Sequence, residues 1–175
     1  DPVSHKIRKV KSLEALGAKV LVVTADVADL KQMKAAISLA NERFGALHGV
    51  IHAAGIAGGG VMQLKDPETA ANVLSPKVQG TLVLDELLKD TALDFFVLCS
   101  SVLALTSRAG QVDYCAANAF LDAYAHDKSS RDNSLTVSVD WDGWEEVGMA
   151  VDNSSPSQGG GIHPESLGRK IDHPL

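Results

Sequence analysis

The stretch Phe95–Ala125 concentrates the residue types that can do chemistry in this chain. Its letters, FFVLCSSVLALTSRAGQVDYCAANAFLDAYA, predict a buried strand, a serine turn, a loop and a helix. The pair Ser100-Ser101 ends the strand, and the helix opens near Tyr114 with Asn118 one turn later on the same face. A hydroxyl at a strand end that faces a helical tyrosine is suited to the reduction of a carbonyl group.

Each of these groups has a defined part in such a reduction. A carbonyl that accepts hydride develops negative charge on its oxygen, which needs a proton donor and a hydrogen bond. A free tyrosine has a pKa of ~10, and a nearby ammonium such as that of Lys77 lowers it. Ser101 can hydrogen-bond the carbonyl oxygen, and Asn118 can order a water that relays protons. Each residue alone also has an ordinary structural explanation. A lysine is most often solvated at the surface, and serines often end a strand by hydrogen-bonding the local backbone.

The elements that must position these groups alternate along the chain. Hydrophobic spacing predicts helices at 3–16, 29–44, 66–89 (bent or broken around Pro76) and 111–128, and strands at 19–24, 48–53, 94–99 and 135–139. Apolar strands alternating with helices indicate an α/β fold with a doubly wound, Rossmann-like parallel sheet and helices on both faces.

Parallel sheets of this kind bind ligands beyond the carboxyl ends of their strands. The residues that follow the predicted strands are therefore candidates for the site: Asp26, Val27, Ala53, Ala54, Gly55, Ser100, Ser101 and Trp141. No GxGxxG motif occurs. We therefore expect the chain to lack the first strand, glycine-rich loop and helix of such a fold, and to start in the helix before its third strand.

Composition narrows the class of protein. The 175 residues suit one domain, and the net charge of -6 argues against a nucleic-acid surface. No apolar run reaches the ~18–20 residues of a membrane span. Cys99 and Cys115 form no CxxC pair, which favours reduced thiols in a cytoplasmic protein, and we expect no metal site.

Several motifs together resemble one family. The segments VIHAAG, SPKVQG, YCAANAFLDAYA and WDGWEEVGMA are similar to those of short-chain dehydrogenases/reductases, and specifically to ketoreductase domains of modular type I polyketide synthases. Ordinary members of that superfamily carry YxxxK. Here Asn118 takes the fourth position after Tyr114, and the lysine, Lys77, lies on the preceding helix. The resemblance covers about residues 1–150.

The resemblance implies a catalytic tetrad of Lys77, Ser101, Tyr114 and Asn118. It implies NADPH as cofactor, with Asp26 and Val27 at the adenine. The other implied cofactor contacts are Ala53, Ala54, Gly55, Lys77, Tyr114 and Trp141. The implied substrate is a β-ketoacyl chain on the phosphopantetheine of an acyl carrier protein, and the implied partners are other polyketide synthase domains.

The resemblance also divides the chain. Residues 1–151 are expected to be the ketoreductase portion and 152–175 a linker, with IDHPL beginning a following domain. We expect this portion to be inactive without upstream residues. Two alternatives stay open: a freestanding short-chain reductase of a small ketone, and a non-catalytic ketoreductase-like fragment.

The alcohol configuration also stays open. One ketoreductase subtype carries Leu-Asp-Asp where this chain has Ala57-Gly58-Gly59, which argues against that subtype. The opposite subtype often has a tryptophan eight residues before the tyrosine, where this chain has Thr106, although Gln111 fits that group.

Overall fold

The computed structural model describes residues 2–131, 135–144 and 149. Its centre is a three-stranded parallel sheet with the order β1-β2-β3. The strands are β1 (Gly49–His52), β2 (Phe95–Ser101) and β3 (Thr136–Trp141). Each was predicted to within a few residues, and the parallel pairing confirms the Rossmann-like fold class. The register places Ser101 beside Trp141 at the carboxyl edge.

Five helices accompany these strands in the described part of the chain. They are α1 (Pro2–Ala15), α2 (Leu30–Phe44), α3 (Pro67–Leu88), α4 (Leu103–Thr106) and α5 (Val112–Arg131), and a 3-10 turn covers Met62–Leu64. Asp29 caps α2 by accepting from Lys31 N, and Asp66 caps α3 by accepting from Thr69 N, each at 2.8 Å. The helix α3 runs unbroken through Pro76. The short α4 and the 3-10 turn were not predicted, since both are too short to show a hydrophobic period.

The core forms where α3 and α5 pack against β2. Leu84 and Leu88 come from α3, Phe96 and Leu98 from β2, and Leu121 with Tyr124 and Ala125 from α5. The rings of Phe96 and Tyr124 meet edge to face with their centroids 6.5 Å apart. Helix α2 reaches the same cluster through Met33 and Ile37, as its predicted apolar face requires.

The predicted strand at 19–24 is wrong. These residues have no regular secondary structure, and the side chain of Val22 is 70% exposed. A strand exists only when a neighbour takes its backbone hydrogen bonds. Within the described residues β2 is the only partner of β1, so no strand lies beside 19–24 to hold it in a sheet.

Gly17 follows α1 with a φ of 92°, a left-handed conformation that glycine adopts without steric cost. The predicted linker at 152–175 lies outside the described residues. In the part that the structure covers, no helix is both long enough and apolar enough to cross a membrane.

Removing a core contact between α5 and β2 should destabilise the chain strongly. Leu121 has no exposed surface, so Leu121→Ala should lower the free energy of unfolding by about 2–5 kcal/mol through lost burial and a cavity. Leu82→Ala on α3 is the control, because that side chain is 43% exposed and should change the value by less than about 1 kcal/mol. Urea unfolding measures both, and equal losses would contradict the described core.

Candidate active site

The carboxyl ends of the three strands bring most of the predicted site residues to one edge of the sheet. Ala53, Ala54 and Gly55 follow β1, the serine pair ends β2, and Trp141 ends β3. Trp141 is 44% exposed there, which differs from plain core packing. The edge therefore combines a small-residue turn with two hydroxyls and an accessible indole.

Lys77 is buried, although a lone lysine is usually solvated. Its side chain projects from α3, the residue is 3% exposed, and Nζ donates to the backbone oxygen of Cys99 at 2.7 Å. Burial lowers the pKa of Lys77 below its ordinary value, while Cys99 and Asp122 act in the opposite direction. Because an ammonium has three donors, Lys77 keeps donor capacity beyond the bond to Cys99.

Asn118 ties the start of α5 to the end of β2. Its Nδ2 donates to the backbone oxygen of Tyr114 at 2.7 Å, and Ser100 Oγ donates to the backbone oxygen of Asn118 at 3.2 Å. Asn118 has no exposed surface, yet its Oδ1 has no hydrogen-bond partner among the described residues. A buried acceptor without a partner is rare in folded proteins and indicates a place for a water or a ligand group.

Ser101 makes the local backbone contact that is common for a serine at a strand end. The residue is buried, and its Oγ accepts from the backbone N–H of Leu103 at 3.3 Å, which is a local turn contact. That contact uses an oxygen lone pair and leaves the hydroxyl proton free to be donated.

The four residues of the predicted tetrad are linked to the end of β2 by backbone contacts or lie in that strand. Lys77 bonds Cys99, Asn118 receives a bond from Ser100, and Tyr114 is held by Asn118 one turn along α5. Ser101 is the next residue of the same strand. A buried ammonium and a buried serine hydroxyl thus lie at the end of β2, and Asn118 ties the backbone of Tyr114 to the same strand end, which suits charge development on a carbonyl oxygen.

Asp26 and Val27 lie in a turn before α2. Asp26 Oδ1 accepts from Ala28 N at 2.9 Å, and its carboxylate is exposed. Val27 packs over Gly80 of α3, where an added Cβ would lie 2.8 Å from Val27 Cγ1. The turn is thus held to the helix that carries Lys77.

His52 was not predicted as part of this region. It is 3% exposed, and its Nε2 lies 3.1 Å from the backbone oxygen of Pro76, the residue before Lys77. Since a carbonyl oxygen only accepts, Nε2 carries the proton in this contact. Burial lowers the pKa of His52 to about 4, and the charge of Lys77 adds to that effect. The sequence signal was only its place in HAAG, which gives no hint of burial.

Lys65 and Asp113 were also missed. Lys65 Nζ donates to Asp113 Oδ2 at 2.5 Å, and the two side chains are 5% and 2% exposed. The residues lie 48 positions apart, and no local pattern links them.

Comparisons with known proteins identify the family. The family model described as the KR domain matches residues 1–146. Because this match covers most of the chain, the chain belongs to the KR domain family. Polyketide synthase PksL of Bacillus subtilis (strain 168) is 37% identical over 153 residues, which are 85% of this chain and 3% of PksL. The resemblance to ketoreductase domains of modular polyketide synthases is thereby confirmed.

Solved structures agree with the fold. A ketoreductase domain from the bacillaene assembly line is 39% identical with a TM-score of 0.79, and the match covers 83% of this chain and 36% of that one. A short-chain dehydrogenase/reductase from Burkholderia phymatum in complex with NAD is 24% identical with a TM-score of 0.66, over 75% of this chain and 50% of that one. The second likeness concerns the fold alone. The chain spans about a third of the solved ketoreductase chain it matches.

The buried His52 should make stability depend on pH. Its folded pKa of about 4 lies below the ordinary 6.5, so the unfolded chain binds a proton that the folded chain excludes. This stability is complete above pH ~6.5 and is lost as pH falls towards 4, by up to about 3 kcal/mol.

Urea unfolding between pH 4 and pH 7 measures this dependence. His52→Gln, whose amide can still donate to Pro76 O, should flatten the slope relative to the unmodified chain. His126→Gln removes an exposed histidine of α5 and serves as the control. Equal slopes in the two variants would contradict the assignment to His52.

Proposed function

We propose that this chain is the catalytic portion of a ketoreductase that reduces a β-ketoacyl thioester on an acyl carrier protein, with hydride from NADPH, to the β-hydroxyacyl thioester. The observation that carries the proposal is the convergence of Lys77 and Asn118 on the end of β2, where Ser101 lies. Membership of the KR domain family supports the reaction class, an oxidoreductase acting on a β-keto group in polyketide biosynthesis.

In this proposal the side chains of the tetrad stabilise and protonate the substrate carbonyl oxygen in different ways. Ser101 donates its hydroxyl proton as a hydrogen bond to the substrate carbonyl oxygen. Tyr114 donates its phenolic proton to that oxygen as negative charge develops there. The buried ammonium of Lys77 attracts the negative charge that the phenolate then carries. Burial strengthens this effect, since the local dielectric is low.

Asn118 supports the return of a proton to Tyr114. Its buried Oδ1 has no partner among the described residues and can accept a hydrogen bond from a water. Its Nδ2 is already engaged by the backbone oxygen of Tyr114, which fixes the direction of the amide. A water held at Oδ1 would connect the phenol to a proton source.

The described residues fit a nicotinamide cofactor. When bound, NADPH would supply the hydride. The remaining donors of Lys77 would hold the nicotinamide ribose, and the turn Ala53-Ala54-Gly55 admits a ligand against the backbone. Asp26 and Val27 would contact the adenine, and Trp141 and Tyr114 would flank the nicotinamide end. Since no GxGxxG occurs, the pyrophosphate needs residues beyond this chain, and we expect the chain alone to be inactive.

The partners follow from the relatives. PksL is named as a polyketide synthase, and this chain corresponds to 3% of it. We therefore propose an acyl carrier protein and other synthase domains as partners. We propose that residues 1–151 form the ketoreductase portion and that residues 152–175 form a linker leading to a following domain. We also propose a cytoplasmic location.

Replacing the proton donor should slow the reaction strongly. The test uses an extended polypeptide, in which the chain is joined to the strand, glycine-rich turn and helix that hold pyrophosphate in dinucleotide-binding sheets. With a small β-ketoacyl thioester, Tyr114→Phe should lower kcat by about 10²–10⁴-fold, the usual contribution of general acid catalysis. The loss of NADPH absorbance measures the rate.

Tyr124→Phe is the matched control, because it makes the same change on the same helix within the core. It should stay within about threefold of the unmodified rate, since general acid catalysis needs a group that reaches the substrate. If the extended polypeptide binds NADPH but leaves it unconsumed, the non-catalytic alternative replaces this proposal.

A further inference from the structure

A buried ion pair joins the loop after β1 to the first turn of α5. Lys65 Nζ donates to Asp113 Oδ2 at 2.5 Å and to the backbone oxygen of Gly59 at 2.6 Å. The side chains of Lys65 and Asp113 are 5% and 2% exposed. Separating the two side chains would leave each with a buried charge that no opposite charge balances. Because this costs free energy, the pair holds the two segments together.

The second carboxylate oxygen of Asp113 accepts a hydrogen bond from the backbone of the next residue, Tyr114. Asp113 Oδ1 accepts from the backbone N–H of Tyr114 at 2.9 Å. The first N–H groups of a helix have no partner within the helix, and this carboxylate satisfies one of them. One carboxylate therefore holds Lys65 with one oxygen and the backbone of Tyr114 with the other.

The same loop also touches Tyr114 through a glycine. A Cβ added at Gly58 would lie 2.6 Å from Asp113 Oδ1 and 2.8 Å from Tyr114 Cβ. The neighbouring Gly59 has no atom within 4 Å of its own added Cβ. The loop therefore lies against Asp113 and Tyr114 at Gly58, whereas there is space for a side chain at Gly59.

We propose that the Lys65–Asp113 ion pair, with Gly58, is a positioning device that fixes Tyr114 for proton donation to the substrate carbonyl. The inference rests on the proposed function, because it assigns a purpose to the position of the proton donor. Lys65 also precedes the N-cap Asp66 of α3, so the pair fixes the start of the helix that carries Lys77 relative to the start of the helix that carries Tyr114.

A second ion pair provides a control. Lys128 Nζ donates to Asp85 Oδ1 at 2.6 Å and joins α5 to α3 far along the chain from Tyr114, with side chains 10% and 27% exposed. Lys128→Met and Lys65→Met remove the same group from pairs that both end on α5. Gly58→Ala and Gly59→Ala form a second matched pair of variants, because an added Cβ meets Asp113 and Tyr114 only at Gly58.

In the extended polypeptide, Lys65→Met should lower kcat about 10–100-fold, because small displacements of a catalytic group cost about that much. The KM for NADPH should stay within about twofold, and the solvent deuterium isotope effect on kcat should rise as proton donation becomes slower. Gly58→Ala should behave likewise. Lys128→Met and Gly59→Ala should keep kcat and the isotope effect of the unmodified enzyme.

Amide hydrogen exchange, followed by mass spectrometry on peptides covering 108–118, tests the positioning without any turnover. Lys65→Met should speed exchange there, and Lys128→Met should not. Equal exchange in the two variants overturns the proposal, as does faster exchange in Lys65→Met with an unchanged kcat. If the unmodified extended polypeptide consumes no NADPH, the proposed function fails, while the exchange comparison still decides whether the pair holds Tyr114.

Discussion

The buried bond between Lys77 and the backbone oxygen of Cys99 is the contact on which the site depends. It places a cation where α3 meets the end of β2, in surroundings that disfavour charge. The neighbouring His52 is neutral, which avoids a second buried cation, and its bond to Pro76 O fixes the turn of α3 that presents Lys77. The bond to Cys99 thus places the ammonium of Lys77 against the strand that ends in Ser101.

Around that cation, the site is built mostly from backbone contacts rather than from bonds between functional side chains. Ser100 bonds the backbone oxygen of Asn118, and Asn118 bonds that of Tyr114, so the strand end and the first turns of α5 form one unit. This leaves the Ser101 hydroxyl proton and the amide oxygen of Asn118 available to a substrate or a water. A site that must stabilise a developing oxyanion needs hydrogen-bonding groups that contacts within the protein have not already used and that are held in place beforehand.

The sequence was sufficient for three of the four predicted strands and for the four long helices, because these depend on local patterns of apolar residues. The catalytic roles of Lys77, Ser101, Tyr114 and Asn118 stay a prediction. The period of apolar residues located α5, and Asn118 lies one turn from Tyr114 within it. It failed at 19–24, where a β-branched run has no neighbouring strand among the described residues, since pairing is not a local property. It also missed Lys65 and Asp113, which are 48 positions apart and meet only through the packing of the loop after β1 on α5.

We propose that NADPH bound at this sheet edge would supply hydride to a carbonyl whose oxygen takes a proton from Tyr114. The most direct test gives the extended polypeptide NADPH carrying deuterium on the transferable position of C4, with a β-ketoacyl thioester, and locates the label by mass spectrometry and NMR. We predict one deuterium on the β-carbon of the hydroxyacyl product, with the rate of transfer lowered by about 10²–10⁴-fold in Tyr114→Phe. Reduced product without deuterium, or labelled product that forms equally fast in Tyr114→Phe, would contradict it.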